Sequence, residues 1–271
     1  MLKLENITVL FDDLKALDHV NMEFMEGKIT GIIGTNGSGK STLMKVMTKL
    51  LKPQEGSVYL DQQLIQDKKK DLFAYRQEVN MVFQNPEQQL FYTIAKDDIR
   101  MALENLGYSK EECDKRVQEA IELMDIKELQ DRPVQYLSYG QKKKVAIAGM
   151  LALKPRFLLL DEPTAGLDPK GRDQMAMIMK KLVSNGTSII VTSHDMDLMY
   201  DCCDYDYLIK KGKIMTQGTK YEVFQQEEIL LDAGLSVPWI VKLHQAIQTP
   251  LVENEEILFD QLKEGYLWQN R

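Results

Sequence analysis

Residues Gly34-Thr35-Asn36-Gly37-Ser38-Gly39-Lys40-Ser41 fit the pattern G-x-x-x-x-G-K-[ST]. Glycines at these positions let the backbone curl until its N–H groups point inward, which suits the β-phosphate of a nucleotide. Lys40 is placed to meet the β/γ-phosphates as a point charge, and the Ser41 hydroxyl to ligate Mg²⁺. Thr42 stands on the α-phosphate side. The plainer reading is a glycine-rich turn that binds nothing. Context argues against it, because an apolar run ends just before the loop and a helical pattern starts just after it. The loop implies nucleotide binding and does not say what the nucleotide is used for.

A second chemical feature follows the apolar run Phe157–Leu160, which ends in Asp161-Glu162. An apolar strand of this kind delivers two carboxylates to the carboxyl edge of a sheet, where α/β folds bind ligands. Asp161 is expected to hold Mg²⁺, and Glu162 to orient or deprotonate an attacking water. An acidic turn is the alternative, and the phosphate loop in the same chain weighs against it. A third feature is Leu137-Ser138-Tyr139-Gly140-Gln141 ahead of the apolar helix Val145–Leu153. Ser138 stands where an N-cap would, so this helix also offers its N-terminus to an anion. Two such helix starts in one chain serve two ligands, or clasp one ligand across a subunit boundary.

The elements that must position these residues are legible in the hydrophobic pattern. Strands are expected over Lys3–Leu10, Asn21–Phe24, Ile29–Ile33, Ser57–Leu60, Val79–Phe83, Phe157–Leu160 and Ser188–Thr192. Helices are expected over Lys40–Leu51 and Asp173–Val183. Short apolar strands separated by helices indicate a parallel sheet covered on both faces. From about Ile94 to Leu153 the chain is charged and helical, with Ser109 and Glu112 spaced as a capping box. Tyr205–Ile209 and Ile214–Thr216 read as an antiparallel edge hairpin. Residues 220–271 read as a small helical appendage, interrupted by Gly234 and Pro238 and carrying Trp239 and Trp268. Lys68–Asp71 and Lys142–Lys144 are charge runs and read as solvated faces, although Lys142–Lys144 could instead orient the helix after Ser138.

Bulk properties bound the reading. The 271 residues suffice for one large α/β domain plus an appendage. With 34 Lys+Arg against 41 Asp+Glu the net charge is −7, a poor start for a nucleic-acid binder. Cys113, Cys202 and Cys203 are odd in number and read as reduced thiols. No run approaches the apolar length of a membrane span, so a membrane association is expected to be peripheral.

Taken in order, these motifs resemble the ABC ATPase family, whose signature is written LSGGQ. Gln84 follows the Val79–Phe83 strand as in the family's Q-loop. Ala165-Gly166-Leu167-Asp168 resembles the D-loop, and His194 the switch histidine. Phe11 stands where the family places an aromatic that stacks on adenine. The resemblance covers about residues 1–220. It implies an α/β P-loop NTPase with a RecA-like mixed sheet core over 1–219, a helical subdomain inserted at about 85–155, and the C-terminal helical appendage at 220–271. It also implies ATP and Mg²⁺ as ligands and a head-to-tail dimer, homomeric or with a sister ATPase. Each site would take Ser138, Tyr139, Gly140 and Gln141 from the other copy, with Asp168 close by. Lys40, Glu162, His194 and Gln84 would be catalytic, and Ser41, Gln84 and Asp161 would hold the metal. Tyr139 departs from the family's first signature glycine and bears on the close packing of that interface. Ser138 and Gly140 are retained, so activity is expected to survive.

Gln84-Asn-Pro-Glu-Gln-Gln-Leu-Phe91 and Leu137-Ser-Tyr-Gly-Gln-Lys-Lys-Lys-Val-Ala-Ile-Ala-Gly149 resemble the energy-coupling-factor importers of cobalt, nickel or vitamins, and favour the cobalt/nickel group. The resemblance places the chain on the cytoplasmic face of the cell membrane. It implies a membrane-embedded coupling subunit, a substrate-binding membrane subunit and no nucleic acid. Pro86, Gln88, Gln89, Leu90 and Phe91 would line the groove that receives the membrane partner, with core packing as the alternative for Leu90 and Phe91. The appendage resembles a segment that stays dimerised between strokes, although Leu235, Val237, Trp239, Ile240 and Leu243 could equally pack on their own domain. Three scattered histidines and three cysteines make no cargo site, which is expected in another subunit. A vitamin importer, and a non-transport ATPase acting on ribosomes or DNA, remain the alternatives.

Overall fold

Alternation in the first 24 residues builds a sheet of its own. In strand β1 (Leu2–Phe11) Leu2 and Leu4 are buried, and β1 pairs antiparallel with β2 (Leu14–Phe24) and with β4 (Glu55–Leu60). The short strand β5 (Gln63–Leu64) completes a four-stranded sheet in the order β2-β1-β4-β5. The hydrophobic pattern does not announce this separate antiparallel sheet, because alternation identifies strands singly and not their partners. The structure, a computed structural model, describes residues 1–263; the end of the expected appendage, Trp268 included, lies outside the described residues.

The second sheet has six strands in the order β10-β9-β3-β8-β7-β6. Strands β3 (Ile29–Ile33), β6 (Val79–Val82), β7 (Phe157–Asp161), β8 (Ser188–Ser193) and β9 (Tyr205–Lys210) run parallel, and β10 (Lys213–Thr219) pairs antiparallel with β9 at the edge. Both faces are covered, so the strands read as unbroken apolar runs. Successive residues serve different cores. Phe157 and Leu159 face the four-stranded sheet, with helix α1 (Lys40–Met47) between; Leu158 and Leu160 face the helices on the other side. The result is the mixed-sheet α/β core that the resemblance implies.

Helix α1 is shorter than expected. Lys49 has φ 55°, and the Thr48 hydroxyl donates back to the Met44 carbonyl at 3.0 Å, which ends the helix before Leu50. The charge run Lys68–Asp71 is exposed and leads into helix α2 (Lys69–Glu78), an element the hydrophobic pattern does not announce. Helices α3 (Ala95–Asn105), α4 (Lys110–Met124) and α5 (Tyr139–Leu151) pack around Ile99, Leu103, Val117, Ile121 and Ile147. The capping box at α4 is only half formed. Ser109 accepts from Glu112 N, but the Glu112 carboxylate turns to Arg116 at 2.6 Å. Helix α6 (Pro169–Ser184) begins four residues before its first expected member, because Asp168 caps it and Pro169 suits its first position.

Helix α7 (Met196–Cys202) links β8 to β9, and α8 (Lys220–Val223), α9 (Glu227–Asp232), α10 (Trp239–Ile247) and α11 (Glu255–Lys263) follow the edge hairpin. Gly234 at φ 75° ends α9, and Pro238 caps α10. Leu235, Val237 and Ile240 are buried against their own chain, whereas Trp239 and Phe259 stay partly exposed with ring centroids 6.3 Å apart. Cys113, Cys202 and Cys203 are free and buried.

Candidate functional site

The phosphate loop joins β3 to α1, and its conformation depends on glycine at defined points. Gly37 and Gly39 take φ of 79° and 112°. A Cβ on Gly39 would lie 2.6 Å from the Ala16 carbonyl, so the close approach of β2 also requires glycine there. Phe11 ends β1 at the turn into β2 and is 48% exposed, open to a stacking partner. The loop is tied down by Ser38 N to Thr35 O at 3.1 Å and by Gly212 N to Ser38 O at 2.9 Å. Thr35 and Thr42 are half-buried, while Asn36 and Ser41 are exposed.

Lys40 is buried and donates to the Gly34 and Thr35 carbonyls at 2.6 and 3.2 Å. Its Nζ also lies 3.5 Å from Glu162 Oε1. Asp161 ends β7, and its Oδ1 accepts from the Thr192 hydroxyl at 2.7 Å. The same hydroxyl accepts from Glu162 N at 3.0 Å, so Thr192 on β8 holds both carboxylate residues in place. Glu162 has φ 48°, a strained conformation for a side chain of this size, costing on the order of 1 kcal/mol. The second Glu162 oxygen lies 2.9 Å from Nδ1 of His194, whose side chain is 57% exposed. The structure thus brings Lys40, Glu162 and His194 into one cluster, with Asp161 on the adjoining residue.

Two buried atoms at this cluster, Ser38 Oγ and Glu162 Oε1, lack a hydrogen-bond partner. Buried acceptors of this kind fit a polar ligand better than a closed core. Ser41, Asp161 and Gln84, the residues expected to hold the metal, carry side-chain oxygen atoms, the donor type that Mg²⁺ takes. Among the described residues there is no group of three or more His, Cys, Asp or Glu side chains able to hold a metal alone.

The signature residues open α5. Ser138 Oγ accepts from Gln141 N at 3.3 Å and the Gln141 side chain accepts from Ser138 N at 2.9 Å, a complete capping box. Tyr139 turns its hydroxyl to the Gln84 carbonyl at 3.1 Å, and Gly140 is half-buried. Among the described residues no hydrogen bond joins this segment to the phosphate loop. Asp168 is exposed and caps α6 through Gly171 N at 2.9 Å.

The charge run Lys142–Lys144 predicts a solvated face for Lys143, and the structure corrects this. Lys143 is 2% exposed and donates to the carbonyls of Glu162, Pro163 and Ala165 at 3.1, 2.9 and 2.8 Å. Burial pushes its ammonium down to about 8, against the pull of Glu162 and Asp161. Lys143 therefore braces the segment after Glu162; its position inside an apolar helix is the signal in the sequence that points to this.

The expected partner groove is divided. Pro86 is buried, and Gln89 spends its amide on Phe83 N and the Met81 carbonyl, at 3.0 and 3.2 Å. Leu90 is half-buried against the core, so Gln88 and Phe91, the latter 70% exposed, form the open part. Asp98, not anticipated, accepts from Phe91 N and Tyr92 N at 2.7 Å each and fixes this exposed aromatic turn. Burial raises the Asp98 carboxyl, although those two bonds oppose the shift.

A family model described as ABC transporter matches residues 17–165. The cobalt import ATP-binding protein CbiO of Salmonella typhimurium is 44% identical over 97% of each chain. The energy-coupling factor transporter ATP-binding protein EcfA of Methanosphaera stadtmanae is 39% identical, over 87% of this chain and 85% of that one. Among solved structures, CbiO1 of Clostridium perfringens, described as part of the ABC transporter complex CbiONQ, superposes with a TM-score of 0.78 at 36% identity. That alignment covers 90% of this chain and 98% of CbiO1.

Proposed function

The chain belongs to the ABC transporter ATPase family as an ATP-binding subunit, and we propose that it powers an energy-coupling-factor importer of a divalent metal ion, cobalt or nickel. The observation that carries the catalytic reading is Glu162, held with one oxygen beside Lys40 and the other on His194. ATP hydrolysis coupled to transport is the family's activity, and this cluster is the chemistry it needs.

In this reading the loop Gly34–Thr42 cradles the ATP phosphates with backbone N–H groups, and Phe11 stacks on the adenine. Lys40 turns from the Gly34 and Thr35 carbonyls toward the β/γ-phosphates. Glu162 Oε1, which has no hydrogen-bond partner of its own, accepts the proton of the attacking water. His194 fixes the other oxygen and reaches toward the γ-phosphate, while Gln84 reports the state of the site to the groove at Gln88 and Phe91. Magnesium, when bound, neutralises phosphate charge, and Ser41, Asp161 and Gln84 are the residues that would hold it.

The second half of each site, Ser138 to Gln141, comes from another copy or a sister ATPase, with Asp168 at the boundary. The exposed start of α5 supports this arrangement. The membrane subunits, one coupling and one binding the substrate, carry the cargo site. No described helix is long and apolar enough to cross a membrane. The similarity to transporter ATP-binding subunits supports a peripheral place on the cytoplasmic face. The exposed Trp239 and Phe259 support a dimer contact in the appendage, although Leu235, Val237 and Ile240 serve their own chain.

The choice of cobalt or nickel rests on the similarity to CbiO. The test is purification of the tagged chain from its native membrane, identification of the proteins that accompany it, and uptake of labelled Co²⁺, Ni²⁺ and vitamins by cells lacking it. Loss of metal uptake with vitamin uptake intact is the expected result. Loss of vitamin uptake alone moves the cargo to the vitamin class, and co-purification with ribosomes in place of membranes overturns the transport reading.

A further inference from the structure

Tyr139 opens α5 and touches two functional loops of its own chain. Its hydroxyl donates to the Gln84 carbonyl at 3.1 Å. Its ring lies on Gly166, where an added Cβ would sit 3.0 Å from Tyr139 Cε1; Gly166 also takes φ 76°. The ring centroid is 5.1 Å from Lys143 Nζ, and that ammonium in turn binds the carbonyls of Glu162, Pro163 and Ala165. Farther along the turn, Lys142 pairs with Glu87 at 2.6 Å. The first turn of α5 is therefore fastened on one side to Gln84 and Glu87, and on the other to the segment from Glu162 to Gly166.

We infer that Tyr139 is a positioning residue that makes the start of α5, the Gln84 loop and the Gly166 loop move as one body, through its hydroxyl on Gln84 and its ring on Gly166. The inference deepens the reading proposed above and rests on it for the roles of Gln84, Ser138 and Asp168. A glycine here has no side chain to make either contact. With tyrosine, a shift of Gln84 cannot occur without breaking a hydrogen bond or carrying Ser138 and Gly140 along. A displacement imposed at the Gln88–Phe91 turn would then reach the signature segment and the loop before Asp168 together.

The hydroxyl and the ring can be separated. Tyr139→Phe removes only the bond to Gln84, whereas Tyr139→Gly removes both contacts. Hydrogen exchange of the purified full-length chain reads the tie directly. Tyr139→Phe is expected to speed exchange at residues 84–90 about fivefold, the weight of one ordinary hydrogen bond, and to leave residues 40–47 unchanged. Tyr139→Gly is expected to speed residues 163–168 as well. In steady-state hydrolysis Tyr139→Phe should lower kcat about three- to tenfold with KM for ATP within about twofold, since the residue orders the site without binding the phosphate-loop side. Wild-type exchange at residues 84–90 in Tyr139→Phe overturns the tie. Faster exchange with unchanged kcat overturns the positioning role. Absence of hydrolysis by the wild-type protein counts against the proposed function instead, because the exchange result needs no turnover.

Discussion

His194 Nδ1 lies 2.9 Å from Glu162 Oε2, joining a half-exposed imidazole to a carboxylate that is 5% exposed. Glu162 can turn away from Lys40 only by giving up this contact, and its amide is already committed to Thr192. The carboxylate is thus aimed by three residues on different elements: α1, β8 and the loop after β8.

Replacing Glu162 with Gln keeps the shape and removes the proton acceptor. Phosphate release should fall at least about 10²-fold, while the Kd for ATP changes by less than about threefold. Turnover within tenfold of wild type would remove Glu162 from the catalytic role.

His194→Ala should lower kcat about 10- to 100-fold with little change in ATP affinity, because the imidazole orients the carboxylate and does not build the phosphate loop. A large loss of ATP affinity at unchanged kcat would make it a binding residue instead.

Lys143→Met takes the ammonium from three carbonyls, of which that of Glu162 keeps the Ala165 amide at 3.1 Å, and should cost about 2–4 kcal/mol in urea unfolding. The pH dependence has a defined sign. The folded ammonium is pushed down to about 8 from 10.5. Between those values the unfolded chain holds a proton that the folded chain has released, so this group adds stability as pH rises through that window. Lys143→Met should abolish that rise; an identical slope in wild type and variant across the same window contradicts the assignment.

Asp206 sits fully buried in β9, and burial pushes its carboxyl up to about 8 from 3.8, with the Cys203 thiol and Lys220 opposing the shift. A Cβ on Gly31 would lie 2.0 Å from its Oδ1, so the carboxyl occupies the space that glycine leaves. Here the folded chain keeps a proton that the unfolded chain loses. Stability from this group is complete below the unfolded value and disappears as pH climbs through about 8. Asp206→Asn should flatten that decline and gain about 2 kcal/mol at about pH 9. A variant no more stable than wild type at that pH would mean the carboxylate is compensated.

Much of this is legible from residue types. The loop Gly34–Ser41 needs its glycines for backbone reasons, and Phe157–Leu160 announces a strand buried on both faces, so residue pattern alone places the phosphate and carboxylate elements. Asp168-Pro169 marks the start of α6 as plainly, but the apolar periodicity begins only at Met175 and draws the expected helix inward. What stays hidden depends on partners distant in sequence. Thr192 and Lys143 act on Glu162 from 30 and 19 residues away. Asp98 acts on a turn that the family resemblance assigns to a groove, and Gln89 looks available until β6 claims its amide. Tyr139 stands out as a departure from the family signature, and its contacts with Gln84 and Gly166 explain how a ring is accommodated there.

In the proposed composite ATP site Glu162 performs the hydrolytic step, and a second copy or sister chain supplies Ser138 and Gly140. The most direct measurement is the mass of the Glu162→Gln protein by size exclusion with light scattering, in ATP and Mg²⁺, with bound nucleotide counted. A dimer retaining two ATP molecules is expected, and a monomer under the same conditions overturns the shared site.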